Sequence, residues 1–481
     1  MQLELSADAD SVTAIGRLKP LAANRDGRPR GSGLKIVWHD SPEHALLADN
    51  LALSEQRGIF VLERLLPGSG AWLPAQPPPL VATSPDLTML QSPLPSPLAP
   101  LAAFEGRRTT SIHRFNDASV TLTIDKGILR AVTAERPVAR ILLQGDETAV
   151  HAAASLIVDA ASVSVPLASL AAEAIALATG RPPSPRRHGA PVLPDAVATV
   201  PDALAHIMGY LTDVILAYAP HAAALDDTGV EAVHQMRVAV RRARSALSIF
   251  RPAVEPGALA AVNTGLKTLG RQLGPSRDWD VFVDETIPSI REALPNDPRL
   301  EKMAAAAARR RRHHRTGLTA YLAGVAFRRL GVELAIFAAS LSWHVTSADS
   351  LATFGATVLQ LRWKKLVGAG KRLQNLDIPG LHGVRLRAKR SRYAAEMFAT
   401  LYQGKSAHRF IRRLSSLQQR LGVLNDGAVA THLLQELGGA GGRHAYAAGV
   451  VAGFIAARTR KSRPRIERAF EKLRRQPIYW A

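Results

Sequence analysis

Two hydrophobic spacings divide the chain. Residues 1–65 and 105–146 contain short runs in which apolar and polar residues alternate, as in Ser119-Val-Thr-Leu-Thr-Ile-Asp125, the period of a half-buried strand. Lys126-Gly127 follows that run and predicts a turn. Residues 147–180 are Ala-rich and helical in pattern, with a break near Pro166. Beyond residue 200 the spacing is helical almost throughout, punctuated at Pro220, Pro252/Pro256, Gly274-Pro275, Pro295, Pro298, Gly368/Gly370, Pro379 and Gly438–Gly442. Gly274 and Gly422 read as helix C-caps, and Asp278 and Asp426 as the N-caps that follow. A proline-rich stretch at 67–100, containing Pro77-Pro78-Pro79, reads as a long exposed loop in extended conformation. Residues 181–199 read as a linker between a domain at 1–180 and one at 200–481.

The helical half contains a repeat. His234-Gln-Met-Arg237-Val-Ala-Val-Arg241-Arg242-Ala-Arg244 returns 148 residues later as His382-Gly-Val-Arg385-Leu-Arg-Ala-Lys389-Arg390-Ser-Arg392. At the same offset Leu269…Leu273-Gly274 returns as Leu417…Leu421-Gly422, and Asp278 as Asp426. With His234 at zero on a helical wheel, Arg241, Arg237 and Arg244 fall at about −20°, −60° and −80°. They form one stripe. Val233, Met236, Val240, Ala243 and Leu247 fall on a neighbouring face suited to a core. His382, Arg385, Lys389 and Arg392 repeat the stripe. Like charges three and four residues apart repel, so something anionic should offset them. Two copies, at about 200–345 and 350–481, predict two bundles of about four helices related by a pseudo-twofold axis.

Charge sharpens this picture. Residues 1–180 carry a net charge of −3 and residues 181–481 a net of +24. One half is nearly neutral and the other is a polycation, which points to nucleic acid, an acidic membrane surface or a phosphate polymer. Arginine outnumbers lysine 49 to 12, and its forked guanidinium suits phosphate oxygens. Aromatics make up only 5% and are not interleaved with the arginines, against a base-stacking platform for single strands. Duplex DNA, bound through its backbone, stays open. The absence of cysteine excludes disulfides and thiolate chemistry. No signal peptide is expected, and the apolar stretch 152–180 is broken by Asp159, Pro166 and Glu173, so a cytoplasmic protein without membrane insertion is expected. Lys267, Arg271 and Arg420 precede the glycines and are candidates to support a groove. So are Arg310, in the basic run Arg309-Arg-Arg-Arg-His-His-Arg315, and its repeat counterpart Arg458. A solvated face is the simpler reading of that run. Gly438-Gly-Ala-Gly-Gly442 lacks the Lys-Ser/Thr of a phosphate loop. No nucleophile motif, zinc motif or carboxylate pair appears in the helical half, so no catalysis, metal or cofactor is expected there.

The doubled His-x-x-Arg run, each followed by the Leu…Leu-Gly…Asp run, resembles the CHAD family over roughly 200–481. The resemblance implies two four-helix bundles whose basic helices line a central groove, binding to inorganic polyphosphate, and location at polyphosphate granules. Carried over, the binding residues are His234, Arg237, Arg241, Arg242 and Arg244, with His382, Arg385, Lys389, Arg390 and Arg392. Residues 1–180 resemble the CYTH domain, an antiparallel tunnel that hydrolyses triphosphates with a divalent metal. Trp38-His-Asp40-Ser-Pro42…Leu46…Asn50-Leu-Ala-Leu53 matches its second-strand region. Its Glu-x-Glu-x-Lys strand is here Gln2-Leu-Glu4-Leu-Ser6, Ser54 and Gln56 stand where tunnel arginines belong, and 137–145 has no carboxylate. The expectation is therefore an α+β CYTH-like barrel or sheet without catalytic activity, ahead of an all-α polyphosphate-binding domain. A metal-dependent triphosphatase and a non-specific DNA-binding nucleoid protein are the alternatives.

Overall fold

The computed structural model describes the chain except for residues 66–78, 182–188 and 345–348 and the single positions 196, 227, 256, 403 and 481. The loop expected at 67–78 and the linker expected at 182–188 lie outside the described residues. The chain forms two compact units: Met1–His188 with Met208–Ala217 and Ala323–His344, and Gly189–Ile207 with Tyr218–Leu322 and Val345–Ala481.

The first unit runs β1 (Gln2–Ala7), α1 (Ala9–Gly16), α2 (Lys19–Ala23), β2 (Arg25–Asp40), α3 (Ala45–Ala48), β3 (Leu51–Gln56), β4 (Ile59–Arg64), β5 (Leu80–Ala82), β6 (Ala99–Phe115), β7 (Ala118–Ala131), β8 (Glu135–Gly145), α4 (Glu147–Ala160), β9 (Val163–Ser164) and α5 (Leu170–Thr179). The strands form a nine-stranded antiparallel sheet in the order β5-β4-β3-β2-β6-β7-β8-β1-β9. Trp38, Phe104 and Leu129 pack beneath Ala171, Ala174 and Ile175 of α5. The turn expected at Lys126-Gly127 is instead mid-strand in β7. Gly127 pairs with Gly106 of β6, and a Cβ on either would stand 2.3 Å from a carbonyl oxygen of the facing strand. These glycines serve close approach of two backbones, not chain reversal. The loop after β5 is not simply exposed: Leu87, Met89, Leu90 and Leu98 pack on a cluster of Leu46, Leu51, Leu53 and Leu62.

The helices that follow are α6 (Val200–Ala223), α7 (Thr228–Phe250), α8 (Ala260–Val281), α9 (Ile287–Ala293), α10 (Pro298–Ala323), α11 (Val325–His344), α12 (Leu351–Gly370), α13 (Ile378–Met397), α14 (Ser406–Glu436) and α15 (Ala445–Arg474). The 148-residue offset carries α6, α7, α8–α9 and α10 onto α12, α13, α14 and α15. α11 has no counterpart. It belongs to the first unit, where it packs on α4, β1 and β9. Glu333 of α11 lies 3.1 Å from His151 Nε2 of α4, and Arg329 pairs with Asp159. Among the described residues α6 alone is long and apolar enough to cross a membrane, but 72% of its apolar window is buried within the protein.

Two proline breaks do not occur. Pro220 lies inside α6 and Pro275 inside α8. Gly274 and Gly422 are therefore not caps, and Asp278 and Asp426 are mid-helix. α8 buries Leu266, Leu269 and Leu273 ahead of the proline and Trp279 after it, and this packing outweighs the hydrogen bond that proline removes. α8 instead deforms later, through a π-helical turn at Phe282–Thr286. Pro288, at the start of α9, has no N–H to give residue 284, and its ring crowds that carbonyl. In the second unit Trp279 and Phe282 meet Leu433, Ala447 and Val451 in one core. Phe250, Phe354 and Phe398 form another contact cluster, with ring centroids 5.2–6.2 Å apart.

Candidate anion-binding groove

α7 and α13 pack against each other. Their shared face follows from sequence: Val233, Met236, Val240, Ala243 and Leu247 are buried, which turns the basic stripe of α7 along the seam with α13. Two clefts open there, and Arg241 lines both. The larger, about 650 Å³, is bordered by Arg241, Arg244, Arg251, Lys389 and Arg390, with no carboxylate in its wall among the described residues. The smaller, about 220 Å³, brings His234, Arg237, Arg241 and Arg385 together with Arg277. Asp278, Glu285 and Asp426 line it too, so this end mixes both signs of charge.

Burial among like charges strains these groups. Lys389 is lowered to about 7, by burial first and then by Arg241, Arg385, Arg237 and Arg392. Burial likewise lowers Arg241 and Arg385. It holds His234 below the ordinary imidazole value, with the Arg277, Arg241 and Arg237 charges acting the same way. Asp278 is raised by burial and by Asp426 against the pull of Arg237, whose Nη2 stands 3.5 Å from its carboxylate. The Arg241 Nε is buried without a hydrogen-bond partner among the described residues. A cationic donor held this way is ready for an anionic acceptor.

Not all the stripe faces the groove. Arg242 is 9% exposed, pairs with Glu396 at 3.0 Å and donates to the Gly189 carbonyl. Arg392 reaches the same Glu396 at 3.4 Å. The two guanidinium carbons lie 5.8 and 5.4 Å from the ring centre of Tyr393. The two share one carboxylate, and neither lines a described cleft. His382 is exposed near the start of α13 and lines neither cleft. Lys267, Arg271 and Arg420 are exposed and line no described cleft. Arg310 points to the Glu436 carbonyl, 3.5 Å away, and not to the groove. Arg458 borders a small cleft of about 140 Å³ that also contains Asp426. The basic run is not wholly solvated: Arg311 and Arg315 lie 2.8 and 3.6 Å from the fully buried Asp280. Arg277 is a groove cation that the repeat did not flag, because Asn425 stands at its counterpart position.

In the first unit Glu4 is raised by burial, against the charge of Arg140, which approaches it to 3.6 Å. Two of the neighbouring carboxylates are already matched: Glu173 pairs with Arg140 and Arg136, each at 2.8 Å, and Asp125 takes both arms of Arg108 at 2.7 Å, while Glu63 is raised by burial and by the charge of Glu4. This donor set does not suit a divalent cation, which needs several uncommitted oxygens. Among the described residues no group of three or more His, Asp or Glu is placed to hold a metal ion.

The family model of the CHAD domain matches residues 206–435. The crystal structure of the CHAD domain from the plant Ricinus communis is 30% identical, covering 61% of this chain and 99% of that one, with a TM-score of 0.53. PptA from Streptomyces chartreusis is 17% identical over 56% of this chain and 99% of its own, with a TM-score of 0.46, too distant to carry an inference. None of the curated proteins matches this sequence. The doubled basic helices and the near-complete coverage of a solved relative lead to one conclusion: the chain belongs to the CHAD domain family.

Proposed function

We propose that this protein binds inorganic polyphosphate in the α7–α13 groove and works at polyphosphate granules in the cytoplasm. The observation that carries the reading is Arg241, half-buried between two clefts among Arg237, Arg385 and Lys389, with its Nε buried and without a partner among the described residues. Such a cluster repels itself until an anion enters, and arginine forks meet phosphate oxygens with charge-assisted bonds. The phenyl and phenol rings bordering the clefts, Phe282 and Tyr393, are 1% and 3% exposed. They offer bases no stacking surface, which favours an inorganic chain over single-stranded nucleic acid. The first unit acts in this reading as a scaffold without catalytic activity.

The test is a titration of long-chain polyphosphate against duplex DNA at one salt concentration, with Arg237→Ala/Arg241→Ala beside the charge-matched Arg309→Ala/Arg312→Ala on the exposed side of α10. Each charged hydrogen bond lost from the groove should cost roughly 1.5–3 kcal/mol, and the α10 pair should leave binding nearly intact. Equal losses in the two double variants would show that net charge alone decides. DNA displacing polyphosphate at equal phosphate would favour a nucleoid protein.

A further inference from the structure

The cationic surface does not end at the α7–α13 groove. A third cleft, about 550 Å³, lies on the α12–α13 face and is bordered by Arg362 and Lys365 of α12 and Arg387 and Arg390 of α13. Arg390 lines both this cleft and the larger groove cleft. Arg362 also joins them: it donates to the carbonyl and the hydroxyl of Ser248, at 3.3 and 3.2 Å, and Ser248 borders the groove. Among the described residues no carboxylate stands in the wall of either cleft. On each helix the two cations are three residues apart, a spacing at which like charges repel.

This feature breaks the repeat. Moved back by 148 residues, Arg362, Lys365, Arg387 and Arg390 become Val214, Ala217, Ala239 and Arg242. Val214 and Ala239 are buried apolar positions, and Arg242 is the arginine already committed to Glu396. The first copy therefore has no such cleft chemistry. Val214 and Ala217 fall in the stretch of α6 that belongs to the first unit, so the two copies of this face differ in surroundings as well as in sequence.

We infer that the α12–α13 cleft is an outer phosphate site that takes the flanking phosphates of a linear polyphosphate too long for the groove. It rests on the polyphosphate reading of the groove and adds to it a direction: the chain leaves past Arg390 onto the second repeat. Short chains fill the groove alone. Long chains gain contacts from Arg362, Lys365 and Arg387, so the protein discriminates by chain length.

The full chain would be titrated with tripolyphosphate and with long-chain polyphosphate over a series of salt concentrations. Arg362→Ala/Lys365→Ala would be compared with wild type and with Arg309→Ala/Arg312→Ala. The outer-site variant should bind the long chain about tenfold more weakly, with a salt dependence shallower by about 1.5 units in log–log slope, and should bind tripolyphosphate as wild type does. Lys365→Ala alone, at an exposed position with no ion pair among the described residues, guards against a folding defect and should give a smaller loss in the same direction. Equal loss for both ligands, or no loss for either, overturns the outer site while leaving the groove reading intact. A wild-type protein that binds neither ligand overturns both.

Discussion

Lys389 is the residue on which the groove's electrostatics converge. Its folded value of about 7 lies below the ordinary 10.5, so between those values the unfolded chain binds more protons than the folded one. Stability of the free protein therefore rises with pH above about 7 and is reduced below it, where the half-buried ammonium is charged. A polyanion in the groove reverses the local field and favours the ammonium, so binding takes up a proton. Affinity for polyphosphate should fall as pH climbs from about 7 to 9, by at most tenfold per unit. Lys389→Arg, whose charge does not titrate there, should flatten that profile. An unchanged profile would move the titration to another group, His234 first. Lys389→Met keeps the apolar stem and removes the charge. Without ligand it should be more stable than wild type by on the order of 1 kcal/mol, readable as a higher Tm. A lower Tm would mean that the ammonium is satisfied and not strained.

At the scale of helices, α8 shows how backbone and charge are fitted together. A Cβ on Gly274 would stand 3.1 Å from Arg237 Nη1, so the missing side chain leaves room for the guanidinium that faces Asp278. Gly274→Ala should gain about 0.5–1 kcal/mol in helix propensity while pushing Arg237 aside. The expected outcome is an equal or higher Tm with polyphosphate affinity down a few-fold, and affinity unchanged would sever Arg237 from binding. The sequence made the register of α7 and α13 legible, because a 3.6-residue period and a fixed offset locate both a buried face and a charged stripe. It could not reveal which arginines are pre-empted. Arg242 and Arg392 are drawn off by Glu396, and the position 148 residues earlier holds Ser248, so repetition leaves no trace of that acceptor. Arg277 was missed for the converse reason. Pro275 misled because packing on both sides of it, through Leu273 and Trp279, keeps α8 continuous where local propensity favours an end.

For the molecule as a whole, a polycationic half beside a near-neutral one makes salt the simplest probe. Affinity for long-chain polyphosphate should fall steeply and linearly in log–log form as salt rises, because each neutralised phosphate releases a counterion. A flat response would rule out an electrostatic groove. The full chain with Mg²⁺ or Mn²⁺ should not hydrolyse tripolyphosphate above a metal-only control, given how Arg108, Arg136 and Arg140 already neutralise Asp125 and Glu173. Turnover lost on Glu4→Gln would reverse that view. The placement of α11 reaches further than binding. Its sequence lies between the two repeats, yet its apolar side, with Phe327, Leu330, Leu334 and Phe337 buried, belongs to the unit built on the sheet. The polypeptide thus crosses between the units five times. A gene cut at the boundary that the repeat suggests would separate that helix from the sheet unit it packs in, so residues 1–180 alone do not encode the whole of that unit.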